Sequence, residues 1–302
     1  MENNKIKKLE ELTQLINTNG EVLNEFITYQ QIFDESGKTI LDAAWEANGI
    51  LQNKSAYTYD ENGNQIAQKV YLDEENISEH WTYIYDKQNK LTQKKVEYAD
   101  GSISIYNKKI EPNNSIEWVI TDEDNEFEGK EVKRYNSKDA LIESIEIDDE
   151  NSEVLKKIFE YDDKDNMLTQ IIFEYGEPLS KEVMQYDANN NLIHSLRLSP
   201  GGSKISETKF YYNENSKLSR REINGEIQVD YTYDEKGNEI EVKQTNLHTE
   251  LNTGLVQFKY TEDGVLVEKL VYEMGAQYNI EPGVVSRNPS IHQKVVMKYE
   301  YF

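Results

Sequence analysis

One stretch of the sequence decides the fold: Tyr57-Thr58-Tyr59-Asp60-Glu61-Asn62-Gly63-Asn64-Gln65-Ile66. Alternate residues of a strand share a face, so Tyr57 and Tyr59 project to the same side. The Asp and Asn side chains that follow bond local backbone groups, and Gly accepts the positive φ that a narrow hairpin turn requires. The stretch therefore predicts a strand that ends in a tight turn and is followed by a second strand.

Relatives of this stretch recur along the chain at intervals of 21 to 27 residues, with Tyr59 marking what we call the anchor position. The fourth and fifth repeats lose the aromatic pair and carry Lys108 and Lys133 two residues before the anchor position. The ten anchor positions are Phe33, Tyr59, Tyr85, Ile110, Tyr135, Tyr161, Tyr186, Tyr212, Tyr233 and Tyr260.

A second turn lies near the midpoint of most repeats. We call it the midpoint turn, and the turn after each anchor position the anchor turn. The midpoint turns are Asn48-Gly49, Asp73–Asn76, Asp100-Gly101, Asp122–Asn125, Asp148–Asn151, Tyr175-Gly176-Glu177-Pro178, Ser199-Pro200-Gly201-Gly202 and Asn224-Gly225. Two strands and two turns per repeat predict an all-β antiparallel meander of about ten two-stranded repeats. Because strands twist, the array is expected to form a single curled or spiralling sheet.

Both ends of the chain depart from the repeat, which covers residues 21–272. Apolar residues at three- and four-residue spacing predict a short amphipathic helix over residues 5–18 that caps the first sheet edge within residues 1–20. A partner-binding helix is the alternative. Residues 273–302 hold an insertion of about 13 residues before a last strand, which predicts either a functional loop or a C-terminal cap. The apolar positions of the expected helix are Ile6, Leu9, Leu12, Leu15 and Ile16.

The repeat resembles the YD repeat of bacterial Rhs proteins and their relatives over residues 30 to about 272. The segments that carry the resemblance are residues 57–64, 83–89 and 231–238. In that family, long arrays form a single-layered sheet that spirals into a shell around a toxic C-terminal domain, and shorter arrays bind carbohydrate or protein. This sequence shows no Asp-Pro-x-Gly-Leu cleavage segment and no C-terminal toxin, so the resemblance implies the fold and no catalytic residue.

Composition limits the partners. The chain has 33 basic and 57 acidic residues, a formal net charge of −24, and 21 Tyr. Phosphate contacts require clustered Lys and Arg, so nucleic acid and anionic membrane surfaces are not expected as ligands, whereas an acidic body attracts basic partners. Acidic surfaces also serve solubility alone. There is no Cys, and no signal peptide or membrane span is recognisable, which predicts a cytoplasmic protein unless it is exported without a signal.

No pattern of catalytic or cofactor-binding residues stands out. The four His residues lack metal-ligand spacing, and the apolar surroundings of His194 predict a packed side chain. The acidic turns Asp122–Asn125 and Asp148–Asn151 contain oxygen ligands but not the twelve-residue calcium loop, and Asp and Asn are ordinary turn residues. The sequence therefore predicts a non-enzyme without cofactor or metal, although a carboxylate pair of a glycoside hydrolase is not excluded among 57 acids.

Two binding functions follow as hypotheses. The first is a scaffold for a basic protein, in its narrowest form an immunity or chaperone-like protein that neutralises a basic toxin. The second is a carbohydrate-binding or cell-surface repeat protein that stacks sugar rings on exposed aromatics. Cross-strand pairing of the same aromatics to stabilise the sheet is the simpler interpretation. The candidate partner-binding residues are Tyr57, Tyr59, Trp81, Tyr83, Tyr85, Trp118, Tyr231 and Tyr233.

Overall fold

The structure is a computed structural model that describes residues 5–111, 114–274 and 290–302. Over these residues the chain forms twenty-two β-strands and no helix, and the strands belong to one antiparallel sheet. The strands are β1 (Ile6–Ile16), β2 (Val22–Phe33), β3 (Thr39–Trp45), β4 (Leu51–Tyr59), β5 (Gln65–Tyr71), β6 (Ile77–Tyr85), β7 (Leu91–Tyr98), β8 (Ile103–Glu111), β9 (Ser115–Thr121), β10 (Phe127–Tyr135), β11 (Leu141–Ile147), β12 (Glu153–Tyr161), β13 (Met167–Glu174), β14 (Glu177–Tyr186), β15 (Leu192–Leu198), β16 (Lys204–Tyr212), β17 (Leu218–Ile223), β18 (Ile227–Tyr233), β19 (Glu239–Asn246), β20 (Leu251–Tyr260), β21 (Leu266–Glu273) and β22 (Ser290–Tyr301).

The anchor turns share one geometry. After Tyr59, the N–H of Asp60 donates to the carbonyl oxygen of Asn64 at 2.9 Å, and the Asp60 carboxylate accepts the N–H of Asn64 at 2.8 Å. The fourth residue after the anchor has positive φ, which favours Gly and Asn. Residues at this position with positive φ are Gly37, Gly63, Asn89, Asn114, Asp139, Asp165, Asn190, Ser216, Gly237 and Gly264.

The N-terminal segment is a strand, so the predicted capping helix is wrong. β1 pairs with β2 on one side and with β22 on the other: Leu12 lies opposite Ile27 and opposite Val296. The first and last strands of the 22-stranded antiparallel sheet are therefore paired with each other, so the predicted open, curled sheet with free end strands is wrong. Pairing of both ends satisfies the backbone groups of the two edges, which is the role that the sequence assigns to a capping helix.

The chain divides into two compact units. The central unit comprises Ser55–Glu207, and the terminal unit combines Met1–Lys54 with Thr208–Phe302. The predicted boundaries of the repeat array at residues 21 and 272 stay a prediction. The inserted loop between β21 and β22 falls on residues 275–289, which lie outside the described part of the chain.

The sheet of the central unit has two unlike faces. We call the face that carries Tyr57, Tyr83 and Tyr161 the anchor face, and the other the opposite face. Near the anchors, residues of the opposite face such as Thr58 and Ile84 are exposed, whereas their neighbours on the anchor face are half-buried. The anchor face also holds Val96, which is 0% exposed.

Candidate functional site

The structure divides the predicted partner-binding residues between the two units. Tyr57 and Tyr59 end β4, Trp81, Tyr83 and Tyr85 lie on β6, and Trp118 lies on β9, all in the central unit. Tyr231 and Tyr233 lie on β18 of the terminal unit. Trp118 is buried and the other seven are half-buried.

The anchor tyrosines join successive repeats through their hydroxyl groups. The Tyr85 hydroxyl donates to the backbone carbonyl oxygen of Gln65 at 2.8 Å, and Gln65 is the cross-strand partner of the preceding anchor, Tyr59. The strand register shifts at this point, between Thr58 and Tyr59. The same hydrogen bond, 2.8–2.9 Å long, joins Tyr161 to Leu141, Tyr186 to Met167, Tyr233 to Leu218, Tyr260 to Glu239 and Tyr299 to Leu266.

These hydrogen bonds give the anchor tyrosines a structural role. Burial raises the pKa of the Tyr85, Tyr161 and Tyr233 hydroxyls, so they stay protonated donors at neutral pH. A phenol that is already bonded to the neighbouring repeat is a poor candidate for hydrogen bonding to a partner. Partner binding by Tyr85 and Tyr233 stays a prediction, and it would have to use the ring.

A cluster of aromatic rings and lysines covers the anchor face of β6–β9. We call Trp81, Tyr83, Lys94, Tyr106, Lys108 and Trp118 the lysine–aromatic cluster. The rings of Trp81 and Tyr83 stack with centroids 6.4 Å apart, and Trp81 meets Tyr106 at 5.6 Å. The Trp81 indole N–H donates to Glu79 at 2.7 Å.

The lysines of this cluster lie over ring faces. Lys94 Nζ is 4.6 Å from the ring centroid of Tyr106 and 4.7 Å from that of Trp118. Lys108 Nζ is 5.7 Å from the Trp118 centroid. Burial lowers the pKa of Lys94, and the charge of Lys133 lowers it further against the opposing effect of Glu131. Burial also raises the pKa of the Tyr106 hydroxyl.

The opposite face of β8–β12 carries paired charges. Glu143 accepts ion pairs from Arg134 and from Lys156, the latter at 3.1 Å. Glu117 lies 3.8 Å from Lys109 and 3.5 Å from Lys130. In contrast, Lys94, Lys108 and Lys133 on the anchor face have no carboxylate oxygen within 4.0 Å among the described residues.

Five successive midpoint turns along one rim of the central unit carry acidic residues and no basic ones, whereas the next turn, Ser199–Gly202, is uncharged. The midpoint turns at residues 72–76, 98–102, 122–126, 148–152 and 174–178 contain thirteen acids and no Lys or Arg, and most of these acids are exposed. Neighbouring strands lie about 4.8 Å apart, so successive midpoint turns follow one another about 10 Å apart along this rim. We call these turns the acidic rim. Its acids are Asp73, Glu74, Glu75, Asp100, Asp122, Glu123, Asp124, Glu126, Asp148, Asp149, Glu150, Glu174 and Glu177.

Carboxylates of these turns hold backbone groups. Asp122 accepts the N–H groups of Asp124 at 2.9 Å and Glu126 at 2.7 Å, and Asp148 accepts that of Ser152 at 2.8 Å. In the part of the chain that the structure describes, no group of three or more His, Cys, Asp or Glu is arranged to hold a metal ion.

His194 differs from its predicted environment. It is half-buried on β15, and its Nε2 lies 2.9 Å from Glu207 Oε1. The side chain is thus hydrogen-bonded and only half-buried, whereas the sequence predicts a packed core residue. In the described part of the chain, no helix is long and apolar enough to cross a membrane.

Sequence reasoning did not single out Lys94 and Tyr106, although a signal was present for their neighbours. Lys108 and Lys133 occupy anchor-face positions where seven of the other eight repeats carry an aromatic or apolar residue, the exception being Gln31. The two irregular repeats therefore place charges where the regular ones place mostly rings. Lys94 lies directly opposite Tyr106 on the neighbouring strand, so its side chain projects from the same face.

No protein-family model matches the chain, and no curated protein matches it either. Among solved structures, it is similar to a chain of the complex TcdB2-TccC3-Cdc42, with a TM-score of 0.44 and 12% identity over 82% of this chain and 15% of the other. It is similar to a chain of the Photorhabdus luminescens Tc holotoxin pore, with a TM-score of 0.43 and 12% identity over 84% of this chain and 16% of the other. The protein thus spans about one sixth of those chains.

A third similar structure is a porin-like protein from Bacteroides uniformis. The TM-score is 0.34, with 10% identity over 98% of each chain. TM-scores below 0.5 and identities of 10–12% assign neither a family nor an activity to this protein.

Proposed function

We propose that the protein is a non-catalytic scaffold that binds a basic protein through the acidic rim of its central unit. The observation that carries the proposal is the uniform charge of five successive midpoint turns, which hold thirteen acids and no base. In its narrowest form the partner is a basic toxin that the protein neutralises. Membership of the YD-repeat family is part of the same proposal and rests on the repeated motif at residues 57–64, 83–89 and 231–238.

The electrostatics of the rim favour a large partner over a small ion. Turns about 10 Å apart are separated by about one Debye length at physiological salt, so each turn acts on the part of the partner directly above it. A basic surface that follows the rim would contact several turns together, and the field of the whole rim would accelerate the encounter.

The anchor turns of the central unit provide a natural contrast. They carry basic residues among their acids: Lys87, Lys90, Lys138 and Lys164. Lys138 Nζ donates to the carbonyl oxygen of Asp163 in the next anchor turn at 2.9 Å. Charges at these turns therefore compensate one another, and we assign the interaction with a basic partner to the acidic rim.

The test compares two variants that remove the same number of negative charges. The rim variant neutralises six acids that do not hold turn backbone in the described structure: Glu75, Glu123, Asp124, Asp149, Glu150 and Glu177, each changed to Gln or Asn. The control variant does the same at anchor turns, at Glu61, Asp163, Glu214, Glu235, Glu262 and Asp263.

Affinity capture from the native host, followed by mass spectrometry, reads out the result. We expect wild type and the control variant to retain one basic protein that is released as salt rises from about 0.1 to 0.5 M, and the rim variant to lose it. Equal capture by both variants, or an acidic or neutral partner, would contradict the proposal. A toxin or secretion component encoded beside the gene would support the narrow form, and its absence would count against that form.

A further inference from the structure

The lysines of the lysine–aromatic cluster are placed at an energetic cost. An ammonium group has three donors, and burying it without an acceptor is unfavourable. Lys94, Lys108 and Lys133 are half-buried and have neither a carboxylate within 4.0 Å nor a hydrogen-bond acceptor among the described residues. Among the described residues, ring contacts of Lys94 and Lys108 and the more distant charge of Glu131 compensate in part.

The surplus of positive charge here contrasts with the rest of the chain. With 57 acids against 33 bases, a lysine has ample choice of partners, and Lys109 and Lys130 on the opposite face share Glu117. On the anchor face, Lys108 and Lys133 stand where seven of the other eight repeats carry rings or apolar side chains, and the carboxylate of Glu131 on the same face lies more than 4.0 Å from these lysines. Packing alone would be served better by such side chains, so the unpaired charges point to a ligand.

We propose that the lysine–aromatic cluster binds an organic anion carried on a flat ring, such as an aromatic carboxylate or sulfonate. The ammonium groups of Lys94 and Lys108 would donate to the anionic oxygens, because both lack acceptors. The ring of the ligand would extend over the stacked rings of Trp81 and Tyr83, whose centroids lie 6.4 Å apart with planes 17° from parallel. Aromatic rings attract one another in such offset-stacked arrangements.

The lowered pKa of Lys94 agrees with this placement. Its main cause is burial; the charge of Glu131 opposes the shift, and the smaller repulsion by Lys133 adds to it. An anion between these lysines would remove the repulsion and raise the pKa of Lys94 toward its ordinary value. Binding of the anion is therefore expected to take up a fraction of a proton at alkaline pH.

Adjacent residues on opposite faces give matched variants. Lys94 and Lys108 lie on the anchor face, and Lys95 and Lys109 follow them directly on the opposite face. K94M/K108M and K95M/K109M therefore make the same change in composition and net charge on the same two strands. Only the first pair removes the donors of the proposed site.

The experiment is isothermal titration calorimetry of the full chain with naphthalene-2-sulfonate. We expect one saturable site, at least tenfold weaker binding to K94M/K108M, and unchanged binding to K95M/K109M. Two further probes separate the parts of the ligand: naphthyl-trimethylammonium has the ring with the opposite charge, and sulfate has the charge without the ring. Both are expected to bind at least tenfold more weakly than the sulfonate.

Thermal unfolding shows whether the first variant is folded. Because the lysines are unfavourably placed, K94M/K108M should melt at the same temperature as wild type or higher while losing the sulfonate. Absence of a saturable site, equal binding of the cationic probe or of sulfate, or equal loss in both double variants would overturn the proposal. A K94M/K108M variant that melts below K95M/K109M would also overturn it, since the lysines would then serve stability. It does not rest on the proposed function, because the acidic rim and the cluster are different surfaces.

Discussion

The hydroxyl of Tyr161 donates a 2.8 Å hydrogen bond to the carbonyl oxygen of Leu141, twenty residues earlier in the chain. Leu141 lies opposite Tyr135, the anchor of the preceding repeat, at a shift in strand register. At this register shift, the backbone carbonyl of Leu141 accepts a hydrogen bond from the hydroxyl of Tyr161, the anchor of the next repeat. The same bond from Tyr85, Tyr186, Tyr233 and Tyr260 links each of their hairpins to the one before it.

Replacing these phenols by phenylalanine tests the link. Tyr161→Phe and Tyr186→Phe should each lower the free energy of unfolding by about 0.5–1.5 kcal/mol, because a half-buried carbonyl loses its donor while the ring stays packed. Urea denaturation measures the loss. The control is Tyr175→Phe, whose ring is 69% exposed in a midpoint turn and whose change should stay below about 0.5 kcal/mol. Equal effects at all three positions would contradict the role of the hydroxyl.

At Gly129, a larger side chain would meet the backbone of the neighbouring strand β11. A Cβ there would stand 2.5 Å from the carbonyl oxygen of Ile147, and the φ of +145° is unfavourable for other residues. Gly129→Ala should therefore lower the free energy of unfolding by about 2 kcal/mol more than Gly101→Ala. Gly101 also has positive φ, +88°, but a Cβ there would meet nothing within 4 Å, so the comparison isolates the clash. Similar losses of stability in the two variants would show that β10 can shift away from the Ile147 carbonyl at little cost, and would contradict the prediction.

The anchor turns should make stability depend on acid. The Asn166 side chain donates to Asp162, and together with backbone N–H groups it holds the pKa of the Asp162 carboxyl below its ordinary value. A group with a lowered folded-state pKa stabilises the protein above its unfolded value of about 3.8, and that contribution is lost as pH falls through the folded value. Asp60, Asp187 and Asp234 have the same arrangement and the same direction of pKa shift.

Changing these four aspartates to asparagine should flatten the fall in stability between about pH 4 and pH 2. The turns should persist at pH 7, since Asn136 already accepts the N–H groups of Lys138 and Ala140 in its own anchor turn. Thermal unfolding of the quadruple variant across this range is the measurement. Asp163→Asn, in the same turn as Asp162, is the control and should keep the wild-type slope. A quadruple variant as acid-sensitive as wild type would contradict the assignment.

The repeat is readable from the sequence because its signals are local. The positive φ of Gly63 and the carboxylate of Asp60 act within five residues, so the turns follow from sequence alone. Closure is not readable, since pairing of β1 with β22 joins residues almost the whole chain apart. The lysine–aromatic cluster escapes sequence reasoning for a related reason: Lys108 and Lys133 look like drift from the aromatic pattern, and their lack of acid partners emerges only once both faces are known.

The N-terminal segment shows why periodicity predicts the wrong element. Leu9 and Leu15 lie on one face of β1 and Leu12 on the other, which reproduces three-residue spacing in an extended strand. Both faces can bear apolar residues because both are partly covered: Leu12 is 9% exposed, and its neighbour Thr13, 1% exposed, bonds Thr28 across the pair at 2.9 Å. A lone helix of this length is marginal, whereas a strand paired on both edges satisfies its whole backbone.

Removal of residues 1–17 tests whether the N-terminal segment acts as a strand that pairs with both β2 and β22. If β1 closes the sheet, its loss leaves the edges of β2 and β22 unpaired. Lys269 also loses its ion pair with Glu11, in which the two side chains are 3.1 Å apart. Unpaired edges associate with other strands, so the truncated protein should form dimers or larger species in size-exclusion chromatography with multi-angle light scattering. The control replaces Lys7 and Lys8 at the exposed start of β1 by Ala in the full chain, which removes side chains but keeps the backbone pairs, and it should elute like wild type. A truncated protein that elutes like wild type and melts within a few degrees of it would show that pairing of β1 with β2 and β22 is not required for a stable monomer.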